Sequence, residues 1–144
     1  MDDLDLIALA TQARAFAYAP YSSYAVGAAL LGKSGRVYTG CNVENAVYPL
    51  TICAERAALF KAVSEGERDF EAIAVVTSNG GTPCGSCRQV LAEFGLEIRV
   101  LVATPDGLVD SRRVADLLPD AFSPHDLPPR SVNPTGTPVD PTGG

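Results

Sequence analysis

At 144 residues, 47% of them hydrophobic, the chain is long enough for one globular domain with an adequate core and too short for two independent ones. A net charge of −6 excludes the clustered Lys and Arg on which nucleic-acid binding depends, and no apolar run approaches the roughly 20 residues of a membrane span. The expected partner is therefore a small molecule, not nucleic acid or membrane.

Residues 2–17 set Leu4, Ile7, Ala8 and Ala15 at helical spacing, with acidic residues first and Arg14 late. That predicts a helix ending before Pro20. Two apolar segments, 24–32 and 36–43, flank Gly32-Lys33-Ser34-Gly35, a turn short enough to join only antiparallel strands. A helix over Cys53 to Ser64 follows, in which Ala54, Ala57, Ala58 and Ala62 permit close approach to a sheet and Gly66 marks the end. Residues 71–77 are almost continuously apolar, as in a central strand covered on both faces.

Thr82 and Pro83 read as the cap and first position of the next helix, which ends at Gly95. Strands at 97–103 and 107–111 are joined by Thr104-Pro105-Asp106-Gly107, a tight turn that makes them antiparallel. A short helix over 114–118 leads towards the end of a domain spanning 1–127. The remaining 128–144, rich in Pro, Gly and Thr, reads as a disordered tail. This order implies one sheet with helices on its faces.

Chemistry concentrates in Cys53-Ala54-Glu55 and Pro83-Cys84-Gly85-Ser86-Cys87. Three thiolates can hold zinc while leaving its fourth position to water, whose pKa the ion lowers from about 15.7 to roughly 7, and Glu55 is placed to take the proton. Cys84-x-x-Cys87 alone would suit a redox dithiol or half of a structural zinc site equally well; Cys53 and Glu55 turn the reading towards catalysis. His125, the single histidine, lies outside both motifs and reads as a surface residue, and Cys41 reads as a free thiol at a strand end. Three thiolates leave the site with excess negative charge, which Arg56 and Arg88, beside the ligands, are placed to offset. Residues two apart on a regular helix point to nearly opposite sides, so Cys53 and Glu55 can serve one metal only if the helix starts close to Thr51 or Cys53.

At these residues the chain resembles a cytidine deaminase of the small, homotetrameric, three-cysteine class. The resemblance runs from about Tyr18 to Leu127 through Tyr21-Ser22-Ser23-Tyr24-Ala25-Val26-Gly27, Gly40-Cys41-Asn42-Val43-Glu44-Asn45-Ala46, the two cysteine motifs and Leu117-Leu118-Pro119. A ligand-x-Glu paired with Pro-Cys-x-x-Cys is the known signature of zinc deaminases. The resemblance implies a three-layer α-β-α sandwich around a five-stranded mixed sheet, with one Zn²⁺ per subunit on Cys53, Cys84 and Cys87. It implies Glu55 as the proton carrier, Asn42 and Glu44 on the ribose hydroxyls and the Ala54 backbone on the base. Tyr24 stands where the family has Phe, a ring that packs on the base. Ala46, Tyr48 and Phe122 match positions that complete a neighbouring subunit's pocket in a homotetramer. The implied reaction is hydrolysis of cytidine and deoxycytidine to uridine and deoxyuridine in a cytoplasmic salvage enzyme, and the acidic Asp2, Asp3 and Asp5, where a secretory signal would be basic, agree with that location.

Overall fold

The computed structural model of the protein describes residues 1–128. Helix α1 (Asp3–Arg14) begins where the Asp2 carboxylate accepts the Asp5 N–H at 2.8 Å, and its first turn carries Asp3 and Asp5 while its last carries Arg14. Strands β1 (Gly27–Gly32) and β2 (Val37–Cys41) form the expected antiparallel hairpin. Its turn closes with the Gly35 N–H on the Gly32 carbonyl at 3.0 Å, with a φ of 92° at Gly35 that favours glycine.

Strand β1 starts at Gly27 and not at residue 24, for a reason that bears on function. The Asn42 amide donates to the Tyr24 carbonyl at 2.8 Å and accepts the Val26 N–H at 2.9 Å, so a side chain does for residues 24–26 what a strand ladder would otherwise do. The segment is thereby held off the sheet as a wall of its own.

Helix α2 (Ala54–Ser64), strand β3 (Phe70–Val76), helix α3 (Gly85–Phe94), strands β4 (Arg99–Thr104) and β5 (Gly107–Arg113), and the short helix α4 (Val114–Leu117) complete the domain. Two single 3-10 turns, Tyr48–Leu50 and Pro124–Asp126, have no clear signal in the sequence pattern. The sheet order is β2-β1-β3-β4-β5, and only β3 and β4 are parallel. That pairing needs a crossover, which α3 supplies, whereas both short turns can join only antiparallel neighbours.

The alternation of β3 divides the core. Ala72, Ala74 and Val76 pack with Leu6, Ile7 and Ala10 of α1 on one face of the sheet. Ile73 and Val75 pack on the other with Ala54, Ala58, Leu59 and Ala62 of α2 and Leu91 of α3. A mixed five-stranded sheet between α1 and the α2–α3 layer is the expected three-layer sandwich. Glycine at position 40 lets α2 lie close on β2: a Cβ there would come within 2.6 Å of the Ala58 nitrogen and 2.7 Å of the Ala54 oxygen. Apart from Pro128, the expected tail at 128–144 lies outside the described residues, among which no helix is long and apolar enough to cross a membrane.

Candidate metal centre and active-site cavity

Helices α2 and α3 start side by side, and each start is a cysteine. Cys53 is the N-cap of α2 and Cys84 the N-cap of α3, both with extended backbone and neither thiol spent on capping its own helix. The expected cap at Thr82 and first helical position at Pro83 are therefore corrected by two residues. The reason lies in Arg88, whose guanidinium holds the Thr82 hydroxyl at 3.0 Å and the Pro83 carbonyl at 2.8 Å, leaving the turn into the helix to Cys84. Cys87 follows in the first turn and is fully buried.

The Sγ atoms of Cys53 and Cys84 lie 3.8 Å apart, those of Cys84 and Cys87 3.4 Å, and all three fall within 4.8 Å of one another. Tetrahedral zinc with Zn–S bonds of about 2.3 Å requires sulfur–sulfur edges of about 3.8 Å, so the three thiols are spaced to hold that ion. Cys53 is drawn down to about 5, by its hydrogen bond with Cys87 first and by the Arg56 guanidinium and Cys84 after it. Cys87 is pushed far up by that same bond to Cys53, by burial and by the charge of Glu55. Of this pair, Cys53, beside the Arg56 guanidinium, is the sulfur that gives up its proton more readily; a bound cation would favour the thiolate at all three.

Arg56 Nη2 donates to Cys53 Sγ at 3.2 Å, and contact with that sulfur raises the guanidinium's own affinity for its proton. Among the described residues its Nε–H is buried without a hydrogen-bond partner, so Nη2 carries its bond to sulfur. Arg88 does not share this role. One residue past Cys87 it is turned about 100° round the helix, and its remaining donor reaches the Leu117 carbonyl at 2.8 Å. The expectation that it offsets the thiolates is overturned: it fastens the cysteine loop to the end of α4.

The cluster opens onto a cavity of about 280 Å³ lined by Tyr24, Val26, Asn42, Glu44, Ala54 and Glu55, with Cys53 and Cys84 at its edge. Glu55, the second residue of α2, is only 4% exposed. Burial raises its carboxyl pKa, the neighbouring Cys53 charge adds to that, and its own backbone N–H and Cys87 partly offset it. The start of α2 at Cys53 removes the tension between two residues that a regular helix would send apart. Glu44 accepts the N–H groups of Tyr21 and Ser22 at 2.9 and 3.1 Å and also binds the Ser22 hydroxyl. That hydroxyl bond, ahead of the two backbone N–H groups, keeps its pKa low despite some desolvation.

Over residues 1–104 the chain matches the family described as the cytidine and deoxycytidylate deaminase zinc-binding region. The chain belongs to this family. It is 52% identical to a cytidine deaminase of Sporosarcina psychrophila over 88% of its own length and 96% of that protein's. It is 53% identical to a cytidine deaminase of Mycobacterium tuberculosis, covering 83% of this chain and 88% of that one. The crystal structure of a cytidine deaminase from Burkholderia pseudomallei superposes with a TM-score of 0.82 at 50% identity, covering 85% of this chain and all of that one. The deaminase family supplies the cofactor for the three-cysteine cluster, one zinc ion per chain, and the fold agrees with its solved structures.

Not every expected residue of this deaminase reaches the cavity. Ala46 is exposed in the 45–50 stretch. Tyr48, 70% exposed, packs edge-on against Tyr21 at 5.8 Å between ring centres and borders a second, more open recess beside Glu44. Phe122 is exposed, and its carbonyl accepts from Gln89, midway along α3, at 3.0 Å. Ser22, Thr51, Thr77 and Gly81 line the cavity and carry no signal in the motifs. Of these, Ser22 in the Tyr21–Tyr24 segment and Thr51 beside Cys53 lay in stretches the sequence singled out; Thr77 and Gly81 did not.

Proposed function

We propose that the protein is a zinc-dependent cytidine deaminase that hydrolyses cytidine and 2'-deoxycytidine to uridine and 2'-deoxyuridine with release of ammonia, a step of pyrimidine salvage. The observation that carries this reading is a buried carboxyl, Glu55, lining one cavity with Cys53 and Cys84, two of three thiols at zinc spacing. The zinc, held by Cys53, Cys84 and Cys87, supplies the Lewis acidity that makes water a nucleophile near neutral pH.

Glu55 would take one proton from the attacking water and give it to N3 of the pyrimidine as the oxygen bonds to C4, then carry that oxygen's second proton to the exocyclic amine, which leaves as ammonia as the C4–N bond breaks and C4=O forms. Burial suits it to this work, because a carboxyl whose proton affinity is raised accepts readily at neutral pH. The Ala54 backbone, at the first position of α2, contacts the base, and the Tyr24 ring packs on its face. Asn42 uses one donor and one acceptor on the 24–26 wall, leaving one of each for a sugar hydroxyl. Glu44 receives three donors and retains lone-pair capacity on the cavity side.

Among the described residues the cavity lining contains no Lys, Arg or His and does contain the Glu44 carboxylate, which favours a nucleoside over a 5'-phosphorylated nucleotide. A homotetramer agrees with the exposed apolar side chains Phe16, Val47, Tyr48, Leu50 and Phe122, of which Tyr48 and Phe122, with Ala46, would complete the neighbours' pockets. Three thiols that must stay reduced fit a cytoplasmic enzyme. The test combines metal analysis with loss of cytosine absorbance on cytidine. Glu55→Ala should retain zinc and lose at least 10²- to 10⁴-fold in turnover, while Cys84→Ala should lose both. Turnover surviving in Glu55→Ala would remove the proton carrier from the mechanism.

A further inference from the structure

The Tyr24 side chain carries a hydroxyl as well as a ring, and that hydroxyl crosses the cavity. It donates to Asn79 Oδ1 at 2.7 Å. Asn79 lies in the loop after β3, where the Thr77 hydroxyl donates weakly to the same oxygen at 3.4 Å and itself accepts the Gly81 N–H at 2.9 Å. Thr77 is buried and anchored through its own N–H to the Ala103 carbonyl at 3.1 Å. The cavity thus has two walls, residues 22–26 held by Asn42 and Glu44, and residues 77–82 leading into Pro83 and Cys84. Among the described residues, the Tyr24–Asn79 bond is the one hydrogen bond that joins them.

The same hydroxyl explains the residue at 81. A Cβ on Gly81 would lie 2.6 Å from the Tyr24 oxygen, a collision, yet only ordinary contact distances, 3.5 and 3.8 Å, from Asn79 Oδ1 and Tyr24 Cζ. Gly81 has no positive φ that would exclude alanine, so the hydroxyl is the obstacle. We propose that Tyr24 and Asn79 are positioning residues: the hydroxyl straps the 77–82 loop across the cavity, fixes its width for the nucleoside, and requires glycine at 81. The substrate part of this inference rests on the deaminase reading; the strap itself does not.

Four variants test it, Tyr24→Phe, Asn79→Ala, Gly81→Ala and the double Tyr24→Phe/Gly81→Ala, read by cytidine kinetics, zinc content and urea unfolding midpoint. Tyr24→Phe and Asn79→Ala should each raise KM about fivefold, the worth of one neutral hydrogen bond, with kcat and zinc content held. Gly81→Ala should raise KM at least as much and lower the midpoint, because its methyl group displaces the hydroxyl. In the double variant the methyl has room, so KM and midpoint should match Tyr24→Phe alone. A parental KM in Tyr24→Phe would overturn the positioning role, and additive midpoint losses would overturn the strap. Since midpoints are read without turnover, a parent inactive on cytidine would instead count against the deaminase reading.

Discussion

Replacing Gly40 with alanine should disturb the metal centre without adding an atom to it. The new methyl group would lie 2.6 Å from the Ala58 nitrogen, 2.7 Å from the Ala54 oxygen and 3.0 Å from the Ala57 Cβ. Two of those neighbours are helix backbone and cannot rotate away, so β2 and α2 must part by about 0.8 Å to restore ordinary contact. Overpacking of this kind costs about 1–3 kcal/mol. The displaced helix begins with Cys53, Ala54 and Glu55, so the sulfur spacing and the proposed proton carrier move with it. A 1 Å misplacement of reacting groups can cost about 10²-fold in rate, and a fall in kcat approaching that size is expected. Urea unfolding and cytidine turnover of the zinc-loaded protein measure both effects. Gly85→Ala is the control: at the first position of α3 its Cβ meets nothing within 4 Å among the described residues, and it should be neutral or stabilising by about 0.4–1 kcal/mol. A Gly40→Ala protein with parental midpoint and turnover would refute the argument that α2 is seated by that contact.

Glu44 titrates below its usual range because the folded protein stabilises its anion through Ser22 and Tyr21, so it contributes stability above the unfolded carboxyl value of 4.5 and loses it as pH falls through the lower folded value. The gap in urea midpoint between parent and Glu44→Gln should be constant near neutrality and shrink below about pH 4.5; a gap that widens in acid would contradict the assignment. Arg88→Met should destabilise by about 2 kcal/mol, since it strands three oxygens that share one charged donor group, yet keep zinc stoichiometry. Arg56→Met, by contrast, should release zinc at a chelator concentration that the parent withstands.

The parts of this architecture that follow from local rules were readable in advance. Two short turns dictated antiparallel neighbours, the almost continuous apolar run of β3 dictated its central place, and the need for Cys53 and Glu55 to share a site dictated where α2 starts. What escaped depends on contacts between distant segments. Thr82 has the chemistry of a cap, but Arg88 claims its hydroxyl and the turn passes to Cys84. Adjacency to a ligand does not say which way a helical arginine points, and Arg88 turns to Leu117 while Arg56 turns to sulfur. Asn42 reads as a sugar contact, yet half its hydrogen-bonding capacity builds the wall the sugar would meet, which no motif can show because residues 24 and 42 come together only in the fold.

The electrostatics of the centre follow from placing thiols at helix starts. Three thiolates around a divalent cation leave one excess negative charge, which would blunt the ion's hold on water. Arg56 brings one positive charge to Cys53, and α2 and α3 both direct the positive ends of their dipoles and their unpaired first-turn N–H groups towards the cluster. Were the whole region made more positive to the same end, Glu55 would lose its proton affinity and with it the ability to carry hydrogen. The two demands are balanced at Glu55, one residue into α2: burial raises its proton affinity and outweighs its own backbone N–H and Arg56, which draw it down. On the proposed mechanism an acid–base group and a bound zinc would work side by side, because the helix starts and Arg56 stabilise the thiolates while burial keeps the carboxyl basic.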